Sequence, residues 1–180
     1  MHLFLAATLT AAACFAQSAD PVSEDQIKAA LAGVAQHAEK IEPMLRQLNP
    51  ADWVFKGAPQ TYVTQWNAAL SEIQSIKIDM TNLGQHPDQM SEELKALYRI
   101  GSYHQGLRSL MGGLRRYQNP ALADLIESVA AEDQGDLDRM QQYLLELATD
   151  REKQFEVVNT EAQRCRGILS RQPAEPVRKR

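Results

Sequence analysis

The chain has 180 residues, of which 44% are hydrophobic and 23% are charged, so it can fold into one domain with a packed core and is neither a disordered nor a fibrous sequence. Its formal net charge of −4 argues against a dedicated nucleic-acid-binding protein, because such a protein needs a surplus of basic side chains.

An apolar run opens the chain and predicts a signal peptide. Residues 3–13 are mostly apolar, small residues follow as far as Ala16, and the first acidic side chain is Asp20. The basic residues that usually precede such a run are missing. As a helix the run would be about 16 Å long, too short for a hydrocarbon core of about 30 Å. We therefore expect residues 1–16 to be removed during export to the periplasm or the cell exterior, and we expect no transmembrane span afterwards.

The chain has two cysteines, Cys14 and Cys165, which limit the disulfides that it can form. Cleavage after Ala16 removes Cys14, whereas cleavage after Ala13 would leave it as the first residue of a lipoprotein. We favour the first outcome, because Ala11 is smaller than the aliphatic residue that lipoprotein signals prefer three positions before the cysteine. Cys165 then has no intramolecular partner. We expect it to be a small core residue, and a homodimer linked through Cys165 is the alternative.

The first helix is predicted over residues 23–48. Ser23 and Gln26 have the spacing of a capping box, in which two side chains satisfy free amides at a helix start. Seven apolar residues follow at alternating spacings of four and three, which places them on one helix face: Ile27, Leu31, Val34, Ala38, Ile41, Leu45 and Leu48. Pro43 removes one backbone donor within this pattern, so we expect a kink or an early end.

A loop is predicted over residues 49–59, where several turn-forming residues surround Trp53 and Phe55. We expect this loop to fold back over one end of the core. If these two side chains are exposed, the loop becomes a contact surface for another protein. The next helix is predicted over residues 58–83, and Lys77 interrupts its apolar face.

The third and fourth helices are predicted over residues 90–117 and 120–169. One unbroken fourth helix would be about 75 Å long, so we expect a break or bend near Gly135. Beyond this bend an apolar face with heptad-like spacing continues, which allows the last helix to project past the bundle. Residues 170–180 contain prolines and basic residues without apolar periodicity, and we expect a disordered basic tail.

These elements predict an all-α fold. It is an up-and-down four-helix bundle over residues 20–169, with a long last helix that bends near Gly135. An extended, partly open coiled coil is the alternative.

Motifs for metal or haem binding are missing from the sequence. It has no Glu-x-x-His, His-x-x-x-His or Cys-x-x-Cys spacing, and no Cys-x-x-Cys-His. We therefore predict no cofactor and no bound metal. The alternative is a haem or metal carrier, in which His104, on or near the buried face of the third helix, pairs with a methionine from another helix.

Four polar residues stand where the helical pattern expects apolar side chains: Lys77, Glu132, Asp133 and Asp136. We predict a buried polar layer in which Lys77 faces Glu132 or Asp136 and fixes the register of the helices. Two carboxyl groups in different environments can act as the general acid and the general base of an enzyme. An enzyme whose active site is this polar layer is therefore a further alternative.

The missing motifs leave one leading hypothesis, which is a non-enzymatic, exported helical-bundle protein. We expect it to bind a protein or a component of the cell envelope, and not nucleic acid. Its binding surface would be a helix face or the loop that carries Trp53 and Phe55.

Overall fold

The fold is given by a computed structural model, which describes residues 21–171 as six α-helices. They are α1 (Glu24–Leu45), α2 (Pro50–Phe55), α3 (Thr61–Gln85), α4 (Met90–Tyr117), α5 (Pro120–Ala130) and α6 (Gln134–Arg171). No strand occurs in this part of the chain, and the predicted all-α fold is confirmed. The predicted signal peptide over residues 1–16, including Cys14, lies outside the described residues, as do residues 172–180 of the predicted tail.

Helix α1 begins as predicted and ends earlier. Ser23 accepts a bond from the backbone N–H of Gln26, and the Gln26 side chain accepts one from the backbone N–H of Ser23, so the capping box is present. Pro43 lies inside the helix, which ends two residues later at Leu45. The buried face of α1 carries six of the seven predicted apolar residues together with one further alanine: Ile27, Ala30, Leu31, Val34, Ala38, Ile41 and Leu45. The seventh, Leu48, is buried beyond the end of the helix.

The predicted loop contains the short helix α2 and folds back over one end of the core. Trp53 is 0% exposed, and its Nε1 donates to Oε1 of Gln118 at 2.9 Å. Its ring meets the ring of Tyr62 edge-on, with centroids 5.7 Å apart. Gly113 lies beneath both rings, where a Cβ would stand 2.7 Å from Cε1 of Tyr62. This end of the bundle is therefore closed by aromatic packing.

Four helical columns form the bundle, and they are α1, α3, α4 and the pair of α5 and α6. Helix α1 packs against α3, α3 against α4, and α4 against α5 and α6, which close the bundle by contacting α1. Helices α3 and α6 make no close contact within the described residues, so they lie diagonally across the core. The predicted up-and-down bundle is confirmed. The largest fully buried side chains are Ile27, Leu31, Ile41, Leu45, Trp53, Ile73, Met80, Leu110, Met111, Leu114, Ile126 and Met140.

A turn at residues 131–133 separates α5 from α6. The predicted break near Gly135 lies just before that glycine, which belongs to the first turn of α6. The backbone oxygen of Asp133 accepts the N–H groups of Asp136 and Leu137, both at 3.0 Å, so Asp133 opens the new helix. The turn places the Asp133 side chain inside the bundle, where the residue is only 4% exposed.

Helix α6 has 38 residues and is therefore about 57 Å long. Its first part contacts α1 and α4. From residue 149 to residue 161 every side chain is exposed, so the helix projects past the bundle as the sequence pattern allowed. We call residues 149–171 the α6 extension. It includes residues 170 and 171, which the sequence analysis assigned to the tail.

Candidate functional site

The predicted polar layer around Lys77 does not form. Nζ of Lys77 lies 3.5 Å from Oε2 of Glu42 on α1, at the edge of the bundle. Glu132 pairs with Lys40, and Asp136 accepts from Nη1 of Arg139 at 2.8 Å. The prediction was wrong because Lys77 belongs to α3, which lies diagonally opposite α6 and cannot reach its acidic residues.

Asp133 instead meets two histidines inside the bundle. Its Oδ2 lies 3.4 Å from Nε2 of His104 on α4 and 4.0 Å from Nε2 of His37 on α1. Both imidazole Nε2 atoms are buried and have no hydrogen-bond partner among the described residues. The hydroxyl oxygen of Tyr103 is also buried without such a partner. We call His37, Tyr103, His104 and Asp133 the Asp133 cluster.

Burial dominates the electrostatics of this cluster. It lowers the pKa of His37, and the charge of Asp133 opposes that shift only in part. It also raises the pKa of the Tyr103 hydroxyl, with a further contribution from Asp133. His37 is therefore held towards its neutral form. His104 also lines a cavity of about 340 Å³ with Arg108 and other residues of α4, α5 and α6, so one side of the cluster approaches the surface.

No metal-binding cluster was found within residues 21–171, where no group of three or more histidine, cysteine, aspartate or glutamate side chains has a suitable arrangement. Nor does any helix in that range combine the length and the apolar character that are needed to cross a membrane.

An open apolar groove lies between α4 and α6. It encloses about 630 Å³. Its apolar walls come from the start of α4 and the middle of α6, and they consist of Met90, Leu94, Leu97, Leu144, Leu145 and Ala148. Leu94 is 47% exposed and Leu145 is 68% exposed, so a large part of each side chain is open to solvent. We call this feature the α4/α6 groove.

The apolar surface continues from the groove onto the α6 extension. A second cavity of about 520 Å³ follows the same side of α6 from Ala148 to Phe155 and has Met90 as its wall on α4. Phe155 is 71% exposed. Isolated exposed apolar residues are common on proteins, whereas a contiguous stretch of this kind is a candidate interaction surface.

The loop that was predicted as a contact surface meets only half of the stated condition. Trp53 fills the core, and Phe55 is left as a single side chain that is 91% exposed. Cys165 lies in the α6 extension and is exposed, so its predicted place in the core was wrong. The sequence did contain a signal for the surface that the structure shows. The apolar face of the last helix continues past the point where the other helices of the bundle end.

Comparison with known proteins assigns no family to the chain. No protein-family model matches it, and no match was found among curated proteins or among solved structures.

Proposed function

We propose that the protein is a non-enzymatic binding protein that takes an amphipathic helix of a partner protein into the α4/α6 groove. The observation that carries this proposal is the groove itself, an apolar channel between two helices in which Leu94 and Leu145 are exposed. A helix laid into such a groove buries its own apolar face at positions i, i+3, i+4 and i+7. Each leucine that becomes fully buried contributes about 1.5–3 kcal/mol of hydrophobic free energy.

The charges beside the groove favour a protein over a lipid surface. Where the groove reaches the α6 extension, its edge carries Arg151, Glu152 and Glu156 around Phe155. An anionic membrane would select a basic edge, whereas a mixed edge suits a partner that has charges of both signs beside its apolar stripe. The proposed partner is therefore an amphipathic protein helix.

The proposed place of action is outside the cytoplasm. The apolar run of residues 3–13 and the small residues up to Ala16 support export. We propose that the mature chain meets its partner in the periplasm or at the cell exterior.

Site-specific photo-cross-linking in cells tests this function. A photoreactive phenylalanine analogue at Leu145, inside the groove, should form an adduct with a discrete partner, and Leu94→Glu should abolish that adduct. The cross-linked partner peptide, identified by mass spectrometry, should come from an amphipathic helix. The matched control is the same analogue at Leu125, which is 51% exposed on α5 away from the groove.

Two results would contradict the proposal. One is an adduct pattern at Leu145 that matches the pattern at Leu125. The other is the absence of any adduct at Leu145 in protein that circular dichroism shows to be folded.

A further inference from the structure

The α6 extension carries a mostly apolar and largely exposed stripe. Six positions follow each other at spacings of four, three, four, three and four residues: Arg151, Phe155, Val158, Ala162, Cys165 and Leu169. Five of the six are exposed, and Ala162 is half-buried. Alternating spacings of three and four are the repeat of a two-stranded coiled coil. We call these six residues the α6 seam.

The seam lies on the same side of α6 as the bundle. Residues 18 positions apart on an α-helix are separated by five whole turns and point in the same direction. Phe155 therefore points in the direction of Leu137, and Val158 in the direction of Met140, and both Leu137 and Met140 are buried against the bundle. The face that packs on the bundle in the first part of α6 is thus open to solvent in the extension.

This placement decides the direction in which a second helix can pair with the seam. In a parallel, in-register pair, the two bundles would lie at the same end of the paired extensions. Each bundle lies on the seam side of its own α6, so the two bundles would overlap. In an antiparallel pair, the two bundles lie at opposite ends of the paired extensions and do not meet. The position of the bundle therefore favours the antiparallel arrangement over the parallel, in-register one.

We propose that the α6 extension pairs with the same segment of a second copy as an antiparallel two-stranded coiled coil centred near residue 160. This homodimer uses the α6 seam, which adjoins the α4/α6 groove at Arg151 and Phe155 and does not include the groove leucines Leu94 and Leu145. Its register places Phe155 opposite Cys165 of the second copy, and Val158 opposite Ala162 of the second copy. At these two central levels a large side chain faces a small one, which fills the middle of the interface evenly. Arg151 lies opposite Leu169 of the second copy at each end.

The charges that flank the seam agree with this register. In an antiparallel pair, equivalent flanking positions of the two helices meet, so Glu152 comes next to Arg166 of the second copy, and the twofold symmetry repeats the pair. Glu161 approaches its own counterpart near the symmetry axis. Its charge is offset within its own helix by Arg164, whose Nη1 lies 3.2 Å away.

Disulfide cross-linking of the mature protein tests the register. In the proposed dimer the two Cys165 residues lie about 15 Å apart along the axis, so the wild type should not form a disulfide dimer under mild oxidation. Phe155→Cys brings a thiol opposite Cys165 of the second copy and should give a disulfide dimer in high yield. The double variant Phe155→Cys, Cys165→Ser has no thiol opposite position 155 and should give none.

Sedimentation equilibrium with seam variants tests the surface independently of cysteine chemistry. Val158→Glu should weaken the dimer by about 100-fold, because it places two carboxylates in an apolar interface. The matched control is Val157→Glu, since Val157 is 64% exposed on the opposite side of the helix and should leave the dimer intact. Circular dichroism verifies that both variants keep the helical content of the wild type.

Three outcomes would overturn the inference. The first is a wild-type protein that is monomeric at about 100 μM, because this excludes even a dimer with a micromolar dissociation constant. The second is a disulfide dimer of the double variant, which would indicate a parallel pair. The third is equal weakening of the dimer by Val157→Glu and Val158→Glu. The failure of the groove proposal is distinguishable, because Leu94→Glu should abolish the partner adduct at Leu145 without changing the dimer.

Discussion

Oδ2 of Asp133 lies 3.4 Å from Nε2 of His104, although the two residues belong to different helical columns. The turn between α5 and α6 produces this relationship, because the backbone oxygen of Asp133 opens α6 while its side chain turns into the bundle. A buried carboxylate costs free energy unless it has polar neighbours. His104 and His37 are the polar neighbours that the fold supplies.

His37 is expected to make stability depend on pH. Burial lowers its pKa in the folded chain, against the charges of Asp133 and Glu132, and His104 and Lys40 lower it further. Below about pH 6.5 the unfolded chain therefore binds more protons than the folded chain, and stability falls as the pH decreases. His37→Gln, which does not titrate, should reduce this loss when urea unfolding is measured between pH 8 and pH 5.

The control for this prediction is His86→Gln, because His86 is exposed at the end of α3. Its unfolding free energies should follow the wild-type pH dependence. An unchanged pH slope in His37→Gln would show that protonation of His37 is not coupled to folding.

Local sequence features predicted where the helices begin and end more reliably than which helices lie next to each other. The capping box of Ser23 and the ends of α4 agree with prediction, because caps, glycines and prolines act within a few residues. The predicted ion-pair partner of Lys77 was wrong, and the reason is not local. Helical periodicity shows that a side chain points towards the core, but it does not show which helix lies across from it.

The seam of α6 shows the same limit. The spacing of Val158, Cys165 and Leu169 matches that of the buried faces, and it indicated a core position for Cys165. Whether such a face is covered depends on how many helices extend alongside it, and every residue of α6 from 149 to 161 is exposed. The pattern could predict an apolar stripe but not its exposure.

Glu93 is expected to make the protein less stable at high pH. The residue is 1% exposed, neither carboxyl oxygen has a hydrogen-bond partner among the described residues, and burial raises the pKa to about 7. Between about pH 4.5 and pH 7 the folded chain holds the proton that the unfolded chain has lost, so stability decreases as the pH rises through this range. Glu93→Gln should raise the unfolding free energy at pH 8 by up to about 3 kcal/mol and leave it nearly unchanged at pH 4.

Thermal and urea unfolding at both pH values measure this effect. The neighbouring variant Glu92→Gln is the control, because Glu92 is an exposed residue that pairs with Lys95 at 2.7 Å. Such a surface pair contributes less than about 1 kcal/mol. If the two variants respond to pH in the same way, the Glu93 carboxyl is not protonated in the folded chain at neutral pH.

The adjacent residues Gly112 and Gly113 offer a matched test of the aromatic end of the bundle. A Cβ at Gly113 would lie 2.7 Å from Tyr62 and 3.0 Å from Trp53, so Gly113→Ala should destabilise the protein by about 1–3 kcal/mol. A Cβ at Gly112 meets no atom within 4 Å, and Gly112→Ala should be neutral or stabilise by up to about 1 kcal/mol through helix propensity. Urea unfolding of the two variants measures the difference, and equal effects would contradict the close packing at Gly113.

Gln118 links three segments at this end of the bundle. Its Oε1 accepts from Nε1 of Trp53 at 2.9 Å and from the backbone N–H of Asn49 at 3.0 Å, and its Nε2 donates to the backbone oxygen of Gln47 at 3.0 Å. Gln118→Leu removes the acceptor and leaves the buried indole N–H of Trp53 unpaired. This change should cost about 1–3 kcal/mol of unfolding free energy, measured with urea.

Gln118→Glu distinguishes the bonds that the Gln118 side chain accepts from the bond that it donates. The carboxylate keeps an acceptor for Trp53 and Asn49 but cannot donate to the oxygen of Gln47, so its loss of stability should be smaller than that of Gln118→Leu. Trp53 fluorescence reports on the same contact, since an indole that loses its buried partner changes its emission. If both variants lose the same free energy, the bond to Gln47, and not the bond to Trp53, holds this end of the bundle together.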